Sequence, residues 1–210
     1  MICEKHPLAS RHGQLCPVCL FEQALESHEP FRQLTIRLPL GIGPAASVFL
    51  VAQEGPSAGL LRLKIWHKTA PPDFLDRFRV LQQGLEEYAA PSIDRPLAAC
   101  VDVTGRPSVL SPFRQGVPIL DAVSSGLFHA PDASAVMAPL HNVLRRAHAD
   151  GLAHGSIVPG NVLVQPDLAT AFLVDFGLAP LLQPATPLAT WFASDVTGLE
   201  SLCVTFRPTS

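Results

Sequence analysis

Cys3-Glu-Lys-His6 and Cys16-Pro-Val-Cys19 are two pairs of soft metal ligands, each with a two-residue spacer, separated by nine residues that include Gly13. A two-residue spacer lets a tight turn aim both side chains at one ion. Three thiolates and one imidazole suit tetrahedral zinc in a closed structural site, with no open position for chemistry. His12 is the substitute ligand. The alternative is free thiols and a solvated histidine in a frayed terminus. If zinc binds, ligand deprotonation and folding are coupled, and a chelator should unfold this stretch without touching the rest. Five cysteines is an odd count, and four ligand-type residues, Cys3, His6, Cys16 and Cys19, crowd the amino end, which reads as metal binding rather than a disulfide framework. Cys100 and Cys203 read as small buried hydrophobes.

The rest of the chain must fold as a body large enough to position such groups. With 210 residues, 48% of them hydrophobic and 16% charged, it can bury a core, and disorder of the whole chain is excluded. A net charge of −3 with scattered Lys and Arg leaves no broad basic face, so nucleic acid is not an expected partner. Glu4, Lys5 and Arg11 break up the first twenty residues, so no secretory signal begins here and a cytoplasmic protein is expected. The uncharged stretch between Asp175 and Asp195 is interrupted by Pro180, Gln183, Pro184 and Pro187, which argues against a membrane span. The 21 prolines, twice the usual share of about 5%, predict short helices and many connections.

Three predicted elements surround the residues at 41 to 66. Leu34–Leu38 alternates as a strand, Gly41–Ala46 makes a turn, and Ser47–Ala52 completes a hairpin. Gly59–Trp66 is a third strand, with Arg62 and Lys64 on one face by the period of two. Asp73 caps a helix to about Ala89 whose apolar face is Phe74, Phe78, Leu81, Leu85 and Tyr88. Pro96–Val103 and Pro107–Phe113 are two more strands joined by a turn at Thr104-Gly105-Arg106, so five strands and one helix form a first lobe. The second lobe is helical. Ala133–Ala149 carries Met137, Leu140, Val143, Leu144 and Ala147 on one stripe. His154–Pro159 is a loop, Asn161–Val164 and Ala171–Val174 are short strands, Asp175 opens a long connection, and Val196–Val204 starts one last helix. A short helix over Leu20–Ser27 closes the amino-terminal unit.

In this order the elements and their residues resemble the protein kinase family across about residues 34 to 205. The resemblance implies an α+β, two-lobe fold: a segment 1–27, a small β-rich lobe 34–114, and a helical lobe 115–210 cut short of the family's remaining helices. Gly41-Ile-Gly43-Pro-Ala-Ala46-Ser-Val48 resembles the glycine-rich loop, with Ala46 in place of the third glycine. Lys64 stands where the family has its phosphate-pairing lysine. Arg62 is where alanine usually meets adenine. Pro112 and Arg114 fall in the strand and hinge that meet adenine, where Pro112 keeps a carbonyl acceptor but has no N–H. His154-Gly-Ser156-Ile-Val158-Pro-Gly-Asn161 is similar to the catalytic loop, with His154 a packed residue, Ser156 in the position of the catalytic aspartate and Val158 in that of the lysine. Asp175-Phe176-Gly177 matches the magnesium-binding triplet, fourteen residues beyond Asn161, and the resemblance makes both magnesium ligands. ATP with magnesium is the ligand so implied. The Cys/His pairs resemble the short zinc-ribbon heads of some bacterial serine/threonine kinases.

Several departures bear on function. A serine hydroxyl cannot accept a proton or orient a hydroxyl as a carboxylate does. The helix position that should offer a glutamate to Lys64 falls at Leu81 or Gln82, and Glu86 and Glu87 lie more than a turn further on. No Ala-Pro-Glu triplet follows Asp175, and Ala193-Ser-Asp195-Val-Thr-Gly-Leu199 resembles the family's next helix arriving too soon. These losses predict a catalytically impaired kinase-like protein, a pseudokinase, that binds a protein partner and serves as a regulatory or scaffolding module. One alternative is an active, divergent serine/threonine kinase passing the ATP γ-phosphate to a protein hydroxyl. Another is a zinc-headed binding module with no nucleotide.

Overall fold

The computed structural model describes residues 4–5, 16–25, 31–53, 59–88, 90–127, 130–165 and 170–205. The chain divides into two compact units, residues 1–76 with 96–113, and residues 77–95 with 114–210.

The first unit is built on one antiparallel sheet. Its elements are helix α1 (Pro17–Leu25), a 3-10 turn Phe31–Gln33, and strands β1 (Leu34–Ile42), β2 (Ala46–Gln53) and β3 (Gly59–Trp66). Helix α2 (Phe74–Glu87) starts here and runs into the second unit, and strands β4 (Ala98–Val101) and β5 (Pro107–Pro112) complete the sheet. The strand order is β1-β2-β3-β5-β4. Cross-strand register puts Phe49, Leu63 and Leu110 in one row, and Val48, Lys64 and Val109 in the next. Because side chains alternate between faces, the two rows lie on opposite sides. The first row joins a core with Val51, Ile65, Cys100 and Leu34, closed by Leu20, Phe21 and Phe31. The rings of Phe21 and Phe49 stand 5.9 Å apart at 55°.

α1 is therefore part of the sheet's core and not a lid on a separate amino-terminal unit. A nine-residue helix has too few hydrogen bonds to persist alone and draws its stability from this packing. β1 also runs further than Leu34–Leu38. Bulges between Ile36 and Leu38 and between Pro39 and Gly41 let an edge strand absorb Pro39, which has no N–H to donate. The strand expected over Pro96–Val103 is trimmed to β4, because the Asp102 carboxylate takes the N–H groups of Thr104 at 2.8 Å and Arg106 at 3.0 Å and so forms the turn early.

The second unit holds the rest of α2, then β6 (Val117–Pro118), α3 (Ile119–Ser124), α4 (Ala130–Ala149), β7 (Val162–Val164), β8 (Ala171–Leu173), α5 (Leu178–Leu182) and α6 (Leu188–Thr205). β6, β7 and β8 form a small antiparallel sheet, with Ile93 bridging to Leu173. The expected stripe of α4 is buried at Met137, Leu140, Leu144 and Ala147, and Val143 is half-buried. On α2, Phe78, Leu81 and Leu85 are buried, with Tyr88 just beyond the helix end. The Tyr88 hydroxyl donates to the carbonyl of Val143. Arg77 donates to Pro180 at 3.0 Å. The long connection expected after Asp175 is absent. α5 starts at Leu178, and α6 begins eight residues ahead of Val196 because Leu188–Ala193 continues the helical turn. No helix among the described residues is long and apolar enough to cross a membrane.

Candidate functional site

In the second unit, the loop from His154 to Asn161 is held from three directions. The His154 ring is fully buried and its Nε2 lies 3.0 Å from the carbonyl of Val174, which can only accept, so Nε2 carries the hydrogen. Nδ1 is then the acceptor for the N–H of Ser156 at 3.2 Å. Both contacts require the neutral Nε2–H tautomer, and a ring so committed serves as a strut and not a base. Phe176 packs edge-on against it, with ring centroids 5.3 Å apart.

The second hold is the carboxylate of Asp195, 0% exposed, in mid α6. Its Oδ1 accepts from the N–H of Gly155 at 2.7 Å, and its Oδ2 from the N–H of His154 at 2.8 Å and from Nε2 of His148 at 3.1 Å. His148 in turn stacks on Phe192, with centroids 4.2 Å apart. Two glycines make the approach possible. Gly155 has φ +81°, and a Cβ there would stand 2.4 Å from Cδ of Pro180. A Cβ on Gly198 would stand 2.5 Å from the carbonyl oxygen of Ile157. Sequence reasoning read Asp195 only as part of a helix. The signal was available, since Asp195, Leu199 and Leu202 recur at four and three residues on one stripe, and the two leucines are buried.

The third hold links the loop to the Asp175 turn. Asn161 Nδ2 donates to the carbonyl of Ser156 at 2.9 Å, the N–H of Val174 donates to the carbonyl of Asn161 at 3.0 Å, and the N–H of Gly177 donates to the carbonyl of His154 at 3.2 Å. Ser156 and Asn161 are thus tied to the two residues, Val174 and Gly177, that flank the Asp175 turn. Asp175 is 6% exposed and has φ 65°, a left-handed conformation that a residue other than glycine adopts at a cost. Val158 is 47% exposed and offers no charge. Leu81, where a glutamate was sought, fills the space beside Gly177, with its Cδ1 2.5 Å from where a Cβ would stand.

In the first unit, β1 and β2 set Gly41 across from Val48, and β2, β3 and β5 set Val48, Lys64 and Val109 in a row. Lys64 is half-buried and its Nζ lies 5.1 Å from the centre of the Trp66 ring, two residues on along the same face. Arg62 shares that face, across from Leu50 and Ser111. Gly43 opens the turn and its N–H donates to the carbonyl of Ala46 at 3.0 Å. Pro112 ends β5 across from Leu61. Arg114 belongs to the second unit, where its Nε is 3.6 Å from Oδ1 of the buried Asp94 and its guanidinium lies 5.3 Å over Phe172. The two units therefore share the predicted site residues, Gly41, Gly43, Val48, Lys64 and Pro112 in one, and Arg114, Ser156, Asn161 and Asp175 in the other.

Of the zinc candidates, Cys3, His6 and His12 lie outside the described residues. Cys16 is buried at the start of α1 and Cys19 half-buried one turn on. Among the described residues no three His, Cys, Asp or Glu side chains gather as a metal site.

No family model matches the chain. The crystal structure of Rad53 1–466 in complex with AMP-PNP superposes with a TM-score of 0.67 and 19% identity, covering 86% of this chain and 49% of that one. The chain has a protein kinase-like fold. Serine/threonine-protein kinase PknH of Mycobacterium bovis is 39% identical over 67 residues, which is 29% of this chain and 11% of that protein. PknH of Mycobacterium tuberculosis matches at the same identity over 10% of its length. The chain thus spans about a tenth of the curated kinases it matches and half of the Rad53 chain.

Proposed function

We propose that this is a kinase-like protein impaired in phosphotransfer, a pseudokinase that works as a regulatory or scaffolding module. The observation that carries the reading is Ser156. In the loop His154–Asn161 no side chain is acidic, and Ser156 holds the place where the resemblance puts the catalytic carboxylate. A neutral hydroxyl gives a substrate hydroxyl neither a proton acceptor near neutral pH nor a charge to orient it. Val158 and Leu81 add to the impairment, because neither supplies the charge that the resemblance assigns to its position.

ATP with magnesium remains a fitting ligand. Asn161 spends its Nδ2 on Ser156, which leaves Oδ1, and the Asp175 carboxylate is a second oxygen donor, the ligand type a hard cation takes. Lys64 is the residue that would pair with phosphate. When bound, magnesium supplies neutralisation of phosphate charge, and this chain's own part is to hold Asp175 in its left-handed turn. In the amino-terminal segment, Cys3, His6, Cys16 and Cys19 would hold zinc. Their donor set fits it, and the burial of Cys16 beside the core suits a closed structural site.

The deciding experiment is the melting temperature with ATP, with and without magnesium, beside Lys64→Ala and Asp175→Asn. A ligand at about 100 times its Kd stabilises by about 2.7 kcal/mol, which a thermal melt resolves. A magnesium-dependent shift lost in both variants, with no phosphotransfer, is the expected result. Turnover that survives Ser156→Ala overturns the impairment and favours an active kinase. No shift at millimolar ATP removes the nucleotide and leaves a scaffold.

A further inference from the structure

The β1–β2 loop makes contacts that neither the core nor the nucleotide reading uses. His67, the residue after β3, reaches the span 44–47 with three groups. Its N–H donates to the carbonyl of Ala45 at 3.0 Å. Its Nδ1 lies 3.1 Å from the carbonyl of Pro44, which can only accept, so the ring hydrogen sits on Nδ1. Its Nε2 is then the acceptor for the hydroxyl of Ser47 at 3.0 Å, and Ser47 is 0% exposed. The backbone carbonyl of His67 takes Nε of Arg106 at 3.4 Å, and Arg106 is held in the β4–β5 turn by Asp102 and Thr104. Ser47 pairs with Ile65, so this grip comes from the face opposite Val48 and Lys64.

The loop's backbone is thereby committed on its own side of the sheet. The N–H of Gly43 is spent on Ala46, Pro44 has none, and the carbonyls of Pro44 and Ala45 are both engaged by His67. With Ala46 beginning β2 where a glycine would give slack, a loop of this composition has little freedom except by releasing His67.

We propose that His67 is a latch: it fixes the β1–β2 loop in one conformation set by the protein and joins that loop, through Arg106, to the β4–β5 turn. The latch regulates the same loop that the nucleotide reading uses, yet it stands on contacts within the ligand-free chain and is tested without nucleotide.

The test is amide hydrogen exchange of the ligand-free full chain, resolved at residues 41–48 and at β4 and β5, for wild type, His67→Ala, Ser47→Ala and His67→Gln. Losing the ring contacts should speed exchange at Gly43 and Ala46 by about tenfold or more in His67→Ala, as expected for two released hydrogen bonds. Ser47→Ala, which removes one arm and leaves the imidazole in place, should give a smaller rise. His67→Gln, which can both donate to Pro44 and accept from Ser47, should restore most of the protection. Exchange in β4 and β5 should not change. Loop exchange at the wild-type rate in His67→Ala overturns the latch. If that variant does not fold, loop exchange at the wild-type rate in Ser47→Ala does so. A rise spread evenly over the whole sheet also overturns it, since it would make His67 a general support. A melt with ATP reports on nucleotide binding separately, so failure of that reading leaves these outcomes intact.

Discussion

Replacing Asp195 by asparagine keeps the shape of the side chain and changes only what its atoms can do. The carboxylate accepts three hydrogen bonds, from Gly155 on one oxygen and from His154 and His148 on the other. Asparagine has one acceptor oxygen and one donor amide. With its oxygen toward His154 and His148, its NH2 faces the N–H of Gly155. Turned over, its NH2 faces the N–H of His154. In either orientation a buried backbone donor meets another donor. A hydrogen bond to a charged acceptor contributes about 1.5–3 kcal/mol, and the surviving bonds fall to about half strength once the charge is gone. The loss should be about 3 kcal/mol, which for a chain of this size lowers the melting temperature by about 6–12 °C.

Urea unfolding followed by circular dichroism measures the loss, and amide exchange at His154 and Gly155 locates it. Asp195→Ala should cost more, because it strips both backbone donors of an acceptor and leaves a cavity. A stability within about 0.5 kcal/mol of wild type for Asp195→Asn, the range of an ordinary surface change, would refute the reasoning that this carboxylate holds the loop.

Gly155→Ala should be destabilising by about 3 kcal/mol or more, since the new Cβ meets Pro180 at 2.4 Å and φ +81° is strained for any L side chain; a wild-type urea midpoint would show that the loop can move aside. Phe21→Ala should cost about 3–5 kcal/mol and raise exchange in β2 and β3, because Phe21 is a core residue of the sheet; an effect confined to residues 16–25 would make α1 an independent piece. Tyr88→Phe should cost about 1 kcal/mol at neutral pH for the lost bond to Val143. Burial pushes the Tyr88 phenol above its ordinary 10, against the pull of Arg146, so the folded chain keeps a proton that the unfolded chain gives up. Wild type should therefore lose stability as pH rises past about 10, and Tyr88→Phe should lose less over the same range in a pH-stepped melt.

What the sequence made legible follows from which interactions are periodic. The strands β2, β3 and β5, the face of α2 and the stripe of α4 bury side chains at repeats of two or of three and four, and their apolar residues announce them. β3 was legible to the residue. The misses share a different cause. α6 was expected from Val196 but begins at Leu188, and its Asp195 is buried by contacts to a loop some forty residues earlier. Such a long-range polar contact leaves no periodic trace. α1 was read as a short helix over Leu20–Ser27 closing the amino-terminal unit, and its Leu20 and Phe21 pack in the core of the sheet. Leu20 and Phe21, which decide where it packs, were inconspicuous. His67 drew no attention for the same reason, since a single histidine after a strand has no pattern of its own.

The bonds that hold the loop His154–Asn161 show which of its side chains the frame depends on. Ser156 contributes to the loop through its N–H, on His154, and its carbonyl, on Asn161, and any residue but proline would supply both groups. Neither bond uses its side chain. Asp195 and His154 hold through side-chain atoms, so the frame depends on their identity. On the proposed reading, a hydroxyl in place of a carboxylate at 156 removes proton acceptance while costing the loop neither of these hydrogen bonds. By the same reasoning Ser156→Asp should fold with wild-type stability to within about 0.5 kcal/mol. A gain of phosphotransfer in that variant would support the proposed impairment and trace it to a single side chain; no gain would extend the proposal to Val158 and Leu81.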